Sequence, residues 1–316
     1  MSKSIVWCFS LLILTLTACA PLQIVSTPSL LPTPTLDNFG PVVLTSLNCV
    51  TDLELDEQKV YWASCGEKGA IGSVSKNGGE ALFLAQDDNA ITSLAVDETA
   101  VYWTSCGEGK PTSTGAVMRM PKAGGTPETL FDGATCPSSL RVDGTNLYWI
   151  DAGLWTMDKA GSDPINIQAD AELRMPERQG HERMIVRVVD IVKVEAGNIY
   201  YLVYVDNQPG MTACKDQDTT LMRVSKDGTT QVGIAGIDGP VGQYTSDKDA
   251  TYLSGPCIWA DKVIRVFDSG EKAAISLKSL RGLIWSRDMR AADDSYFYWW
   301  DDENNQLRRF PKQSAP

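Results

Sequence analysis

An acidic residue followed five positions later by tyrosine occurs six times along this chain. The pairs are Asp56–Tyr61, Asp97–Tyr102, Asp143–Tyr148, Glu195–Tyr200, Asp247–Tyr252 and Asp293–Tyr298. Successive acids lie 41, 46, 52, 52 and 46 residues apart, so units of one design fill the chain from about residue 42 to 312. A period of this length marks an array of like supersecondary units that bury their faces against one another. Two units share a longer match, Val-Tyr-Trp-x-Ser-Cys-Gly at 60–66 and 101–107. Taken alone it resembles a duplicated active site. Set in the register of all six units, it is one strand repeated, and its residues belong to the fold.

Each unit continues alike. A third β-prone run ends in Lys-x-Gly in "VSKNGG", "VMRMPKAGG", "LWTMDKAG" and "LMRVSKDG", with the variants "VIRVFDSG" and "LRRFPK". A fourth follows, such as "EALFLA" or "PETLFD". Four short strands per unit, separated by turn residues and with no sustained helical period, describe a propeller blade. The acid can accept a backbone N–H in the turn to the second strand. The glycine after lysine supplies the positive φ of a tight hairpin. The Tyr-Trp pairs offer large surfaces for packing between blades. The last unit stops after its third strand, while "GPVVLTSLNC" at 40–49 aligns with the fourth strand of unit two. The expected fold is therefore all-β: a six-bladed β-propeller of four-stranded antiparallel blades over 41–313. Its last blade is closed by the N-terminal strand, which removes a free sheet edge.

The units resemble those of YWTD-type and TolB-like six-bladed propellers. The motif stands as Tyr148-Trp149-Ile150-Asp151 and Tyr298-Trp299-Trp300-Asp301. It is reduced to Tyr61-Trp62-Ala63-Ser64 and Tyr102-Trp103-Thr104-Ser105 in the first two units, and units four and five lose the tryptophan. The resemblance implies a fold that serves binding modules, scaffolds and some enzymes, so function has to come from a site.

Ahead of the repeats, Lys3 precedes an apolar run from Ile5 to Leu16 that is too short to span a bilayer comfortably. Leu16-Thr17-Ala18-Cys19 resembles a bacterial lipobox, which makes 1–18 a signal peptide, with Cys8 inside it, and Cys19 the lipidated N-terminus. Residues 19–40, rich in Pro, Ser and Thr, read as an extended tether. The expected location is extracytoplasmic, lipid-anchored to the bacterial membrane or cell surface. A formal charge of −12 argues against nucleic acid as a partner. A monomer is expected.

Six cysteines remain in the body: Cys49, Cys65, Cys106, Cys136, Cys214 and Cys257. An even number outside the cytoplasm suggests disulfides. Cys49 and Cys136 lie seven residues before their acids, and Cys65 and Cys106 four residues after their tyrosines. Starts of first strands and ends of second strands share one rim. Cys257 is one residue off the second of these places, and the expected pairs are Cys49–Cys65, Cys106–Cys136 and Cys214–Cys257.

His181 is the only histidine, which weakens every histidine-based catalytic or metal arrangement. With Arg174, Arg178, Arg183 and Arg187 it forms a basic cluster in the longest insertion. That cluster is a candidate rim for an anionic ligand, or else a solvated loop paired with Glu172, Glu177 and Glu182. Asp52, Asp190 and Asp288 are axial candidates for Ca²⁺, and no other cofactor is expected. The leading reading is a non-enzymatic module, anchored by its lipid, that binds a protein, peptide or glycan at the disulfide-braced rim. The alternatives are a metal-dependent sugar-lactone hydrolase or lyase with an axial-channel site, and a scaffolding subunit of an envelope complex.

Overall fold

The computed structural model describes residues 42–311 apart from 48, 65, 67, 108–113, 170–184, 196, 207–216, 239, 240, 242, 247–249, 255–261, 277–288, 302 and 303. The signal segment, Cys19 and the tether lie outside the described residues. All described regular structure is β, in six four-stranded antiparallel sheets. Blade one holds Asp52–Leu55, Lys59–Ala63, Ala70–Ser75 and Leu82–Gln86. Blade two holds Ala90–Val96, Ala100–Cys106, Gly115–Pro121 and Glu128–Ala134. Blade three holds Ser138–Val142, Asn146–Ile150, Gly153–Asp158 and Ile165–Ala169. Blade four holds Ile185–Val194, Asn198–Asp206, Gln217–Ser225 and Gln231–Asp238. Blade five holds Gln243–Ser246, Ala250–Ser254, Lys262–Phe267 and Lys272–Ser276. Blade six takes Met289–Ala292, Tyr296–Asp301 and Gln306–Pro311, and its outer strand is Val42–Ser46, antiparallel to the third strand. The first strands form the inner ring, and the first strand of blade six meets that of blade one. The N-terminal strand thus closes the last blade.

The core lies between the blades. Tyr61 of blade one shares a buried cluster with Trp103 of blade two, and Tyr102 shares one with Trp149 of blade three. Tyr148 packs with Tyr201 of blade four, Tyr200 with Leu253 of blade five, and Tyr298 of blade six with Trp62 of blade one. These five tyrosines each reach forward to the residue at the tryptophan position of the next blade, and Tyr252 of blade five meets Phe297 of blade six edge-on. This explains why the dipeptide recurs: the tyrosine fills the seam ahead and the residue after it the seam behind, a place that Tyr201 and Leu253 take in blades four and five. Trp62 lies flat on its own third strand, where a Cβ at Gly72 would come within 2.1 Å of the ring. Only glycine allows that approach.

Candidate functional site

Four of the repeated acids share one geometry. Asp56 Oδ1 accepts the backbone N–H groups of Gln58 (2.8 Å) and Lys59 (2.7 Å), and Oδ2 accepts the Tyr61 hydroxyl (2.9 Å). Asp97, Asp143 and Asp293 repeat this with Tyr102 (3.0 Å), Tyr148 (2.9 Å) and Tyr298 (2.9 Å). The spacing of five is thus a turn capped by the acid, with the following strand returning a phenol to the same carboxylate. The Lys-x-Gly lysine of the next blade completes each site. Lys122 meets Asp56 (2.6 Å), Lys159 meets Asp97 (2.7 Å), Lys226 meets Asp143, and Lys76 of blade one meets Asp293 of blade six (2.7 Å). Burial opposes ionisation of Asp56, but Lys122, the two turn N–H groups and Tyr61 together hold its carboxyl at about 2. The same balance holds Asp97, Asp143 and Asp293 low. These are clamps between blades, on the rim opposite the cysteines.

One seam is built the other way round. Blade five carries Asp268 where the other blades carry the clamp lysine. The cation comes instead from Lys193, two residues before the acid of blade four. Its side chain is 8% exposed, and its ammonium bridges Glu195 (2.8 Å) and Asp268 (2.7 Å) and lies over the Tyr200 ring. The exchange of charge between the two sides makes a direct prediction. Lys193→Met alone should cost about 1–2 kcal/mol, because it leaves two carboxylates facing each other. Adding Asp268→Lys, which restores the pattern of the other seams, should recover most of that loss. Urea unfolding of both single variants and the double variant measures the coupling. Additive losses would mean that the bridge contributes nothing.

The inner ring carries a second polar network, and sequence reasoning anticipated only part of it. Asp52 Oδ2 accepts the Ser93 hydroxyl (2.9 Å) and the Leu94 N–H (2.8 Å) of blade two. Ser93 Oγ accepts the Leu140 N–H of blade three (2.9 Å), and Ser139 Oγ accepts the Ile191 N–H of blade four (2.6 Å). Neighbouring inner strands share no ladder, so these side chains tie them together. The hydroxyls of Ser139 and Tyr244 both donate to Asp190 Oδ1. Arg141 of blade three then reaches two blades that do not adjoin it. It donates to the Tyr244 hydroxyl of blade five (3.2 Å) and pairs with Glu54 of blade one (3.5 Å). Contacts between non-adjacent blades can only be made across the axis, so Arg141 bridges the channel. Burial pushes the Glu54 carboxyl up to about 7, with Asp52 adding to the shift and Arg141 opposing it. Burial also raises Asp190, against the pull of Arg141, Ser139 and Tyr244.

This geometry gives the two described axial candidates a role within the scaffold. Asp52 caps the inner strand of blade two, and Asp190 is held by Ser139 and Tyr244. Asp288 lies outside the described residues. Among the described residues no group of three or more histidine, cysteine or carboxylate side chains is placed to hold a metal ion. Cys106 and Cys136 form a disulfide between the end of a blade-two strand and the approach to blade three. Asp151 caps the same junction through the Thr135 (2.8 Å) and Cys136 (3.3 Å) N–H groups. Cys49 is also disulfide-bonded. Cys65, Cys214 and Cys257 lie outside the described residues, as do Arg174, Arg178, His181 and Arg183. Arg187 is exposed on the first strand of blade four. The residues missed from sequence are Glu54, Ser93, Ser139, Arg141 and Tyr244. The available signal was a charged residue at one register position, Glu54, Arg141 and Lys193, where the other units carry Ala95, Thr245 and Ala291.

No family model and no curated protein sequence matches the chain. Solved structures do match. An oligogalacturonate lyase from Vibrio parahaemolyticus superposes with a TM-score of 0.52 at 11% identity, over 83% of this chain and 76% of that one. An oligogalacturonate lyase in complex with manganese gives 0.52 at 10%, over 82% and 76%. An auxiliary nutrient binding protein from Bacteroides thetaiotaomicron gives 0.52 at 11%, over 84% and 69%. At such identities the likeness is one of fold, and the chain is a six-bladed β-propeller.

Proposed function

We propose that this propeller is an extracytoplasmic binding module, anchored through a lipid at Cys19, whose ligand is a protein, peptide or glycan. Its repeats resemble those of YWTD-type and TolB-like propellers. One observation carries the reading: among the described residues, Asp52, Ser93, Ser139, Asp190 and Tyr244 of the inner ring are engaged across the blades, with Arg141 spanning the channel between Glu54 and Tyr244. A channel bridged by the protein's own charges has little room for an axial catalytic centre. Recognition then falls to the rims and grooves, where loops on a rigid scaffold usually bind. The Cys106–Cys136 bond supports an oxidising compartment. Among solved structures of like fold are both a nutrient binding protein and lyases, so fold alone does not choose between binding and catalysis.

The test sets binding against turnover. The full chain is melted with Ca²⁺ or Mn²⁺ alone, then with neutral and acidic oligosaccharides and a peptide library. Each oligosaccharide is also assayed for chain cleavage with metal present. The expected result is a raised melting temperature with a glycan or peptide and no cleavage. Metal-dependent cleavage of an oligosaccharide would overturn the proposal in favour of a lyase-like enzyme.

A further inference from the structure

On the clamp rim, the seam between blades six and one opens into a groove of 830 Å³. Its size lies in the range of small-ligand sites. It is formed by the first turn and the Lys-x-Gly hairpin of blade one, together with the first turn and Arg309 of blade six. One wall departs from the repeat. The third residue after the acid is Lys59, Ala100, Asn146, Asn198 and Ala250 in blades one to five, and only blade six places an aromatic there, Tyr296. Arg309 covers one face of that ring at 4.6 Å and donates to the Lys76 carbonyl (2.7 Å), while Tyr298 meets the ring edge. Tyr296 is thereby fixed before any ligand arrives.

The groups around it divide into engaged and unengaged. Lys76 is bound to Asp293, and Arg309 is stacked on Tyr296. The Tyr296 hydroxyl, the Glu57 carboxylate and the side-chain amides of Gln58 and Asn77 have no hydrogen-bond partner among the described residues. A phenol, a carboxylate and two amides, all planar and converging on one concavity, supply donors and acceptors in the pattern that neighbouring hydroxyls of a sugar ring require. The apolar lining is confined to Leu55, Ala292 and the tyrosine rings, which gives a peptide side chain no deep pocket. Asp56 is paired with Lys122 and Asp293 with Lys76, which leaves the Glu57 carboxylate unengaged in the groove, and an acidic sugar or phosphate would meet it unfavourably.

We infer that this groove binds a glycan without acidic groups, with Tyr296 as its platform and Glu57, Gln58 and Asn77 as its hydrogen-bonding set. The inference rests on the reading of the chain as a binding module, names its ligand class, and places the site on the rim opposite the cysteines. Calorimetry of the full chain with chitohexaose, maltohexaose and a glucosamine hexamer tests it, with trigalacturonate and polylysine as controls. At least one of the three hexamers should bind and trigalacturonate should not. The exposed pair Gln58→Ala and Asn77→Ala together should weaken binding roughly tenfold or more. Their melting temperature should be unchanged, and Tyr296→Phe should show a smaller loss. Hexamer binding that survives the double substitution sinks the groove and leaves the wider binding reading standing. Binding of polylysine alone would make this a basic-peptide site, and no binding of any hexamer at millimolar concentration removes the glycan assignment.

Discussion

Arg141→Met lowers the stability of the propeller by about 3 kcal/mol at pH 8 and by clearly less at pH 5. Urea unfolding at the two pH values is the measurement, and the pH 8 loss corresponds to a fall of roughly 6–12 °C in melting temperature for a domain this size. Arg141 lies on the inner strand of blade three, donates to the Leu140 carbonyl (2.7 Å) and Tyr244, and pairs with Glu54. Methionine keeps the length and most of the volume of the side chain but removes its charge. Glu54, Asp52 and Asp190 are then left around the axis without the cation that faces them. At pH 5 Glu54 is already protonated, so less charge is left uncompensated and the cost shrinks. A loss below about 1 kcal/mol at pH 8 would mean that water reaches these carboxylates freely. The channel would then be open, and the main support for a non-enzymatic reading would fall with it.

The comparison of sequence with structure separates two kinds of information. The six units, the four strands in each, the packing role of Tyr-Trp and the closing N-terminal strand could all be read in advance, because each is a local pattern repeated. Equivalent residues in a ring do equivalent work, so the spacing of five between acid and tyrosine needed only one physical explanation. The axial network is built differently. Glu54, Arg141 and Tyr244 belong to blades one, three and five, and they meet because the ring brings the inner strands of non-adjacent blades to one axis. Register aligns like with like, whereas this contact joins unlike residues across the middle. The inverted seam was hidden for a related reason. Asp268 stands in plain view at the place of a clamp lysine, but its meaning depends on Lys193, which belongs to another blade and another strand. The exceptions to the repeat, Arg141, Lys193 and Tyr296, are where the six blades stop being equivalent.

Stability as a function of pH should peak at about pH 4 to 5, with the two limbs governed by different carboxylates. The acid limb belongs to the clamps. Asp56 ionises at about 2 in the folded chain against 3.8 as a free side chain, and Asp97, Asp143 and Asp293 are shifted the same way. A depressed acid stabilises the fold above its unfolded value and loses that contribution as pH falls through the folded value. With side chains 14–26% exposed, each clamp should contribute on the order of 1 kcal/mol, all of it lost toward pH 2. Glu54 acts in the opposite sense. Its folded value of about 7 lies above the free value of 4.5, so between these limits the folded chain holds a proton that the unfolded chain has released. Stability therefore falls as pH rises from 4.5 to 7, and the full cost persists above 7. The shift corresponds to roughly 3 kcal/mol, reduced to about 1–2 kcal/mol by the water that reaches a side chain 28% exposed. Proximity to the isoelectric point of 4.6 also favours the folded state near the same maximum, and one substitution separates the two effects. Glu54→Gln cannot titrate, so it should match the parent at pH 5, exceed it by about 1–2 kcal/mol at pH 8, and leave the acid limb unchanged. A Glu54→Gln curve parallel to the parent from pH 5 to 8 would show that the neutral limb is a matter of net charge, and that the axial carboxyl is ionised at pH 7 like any exposed glutamate.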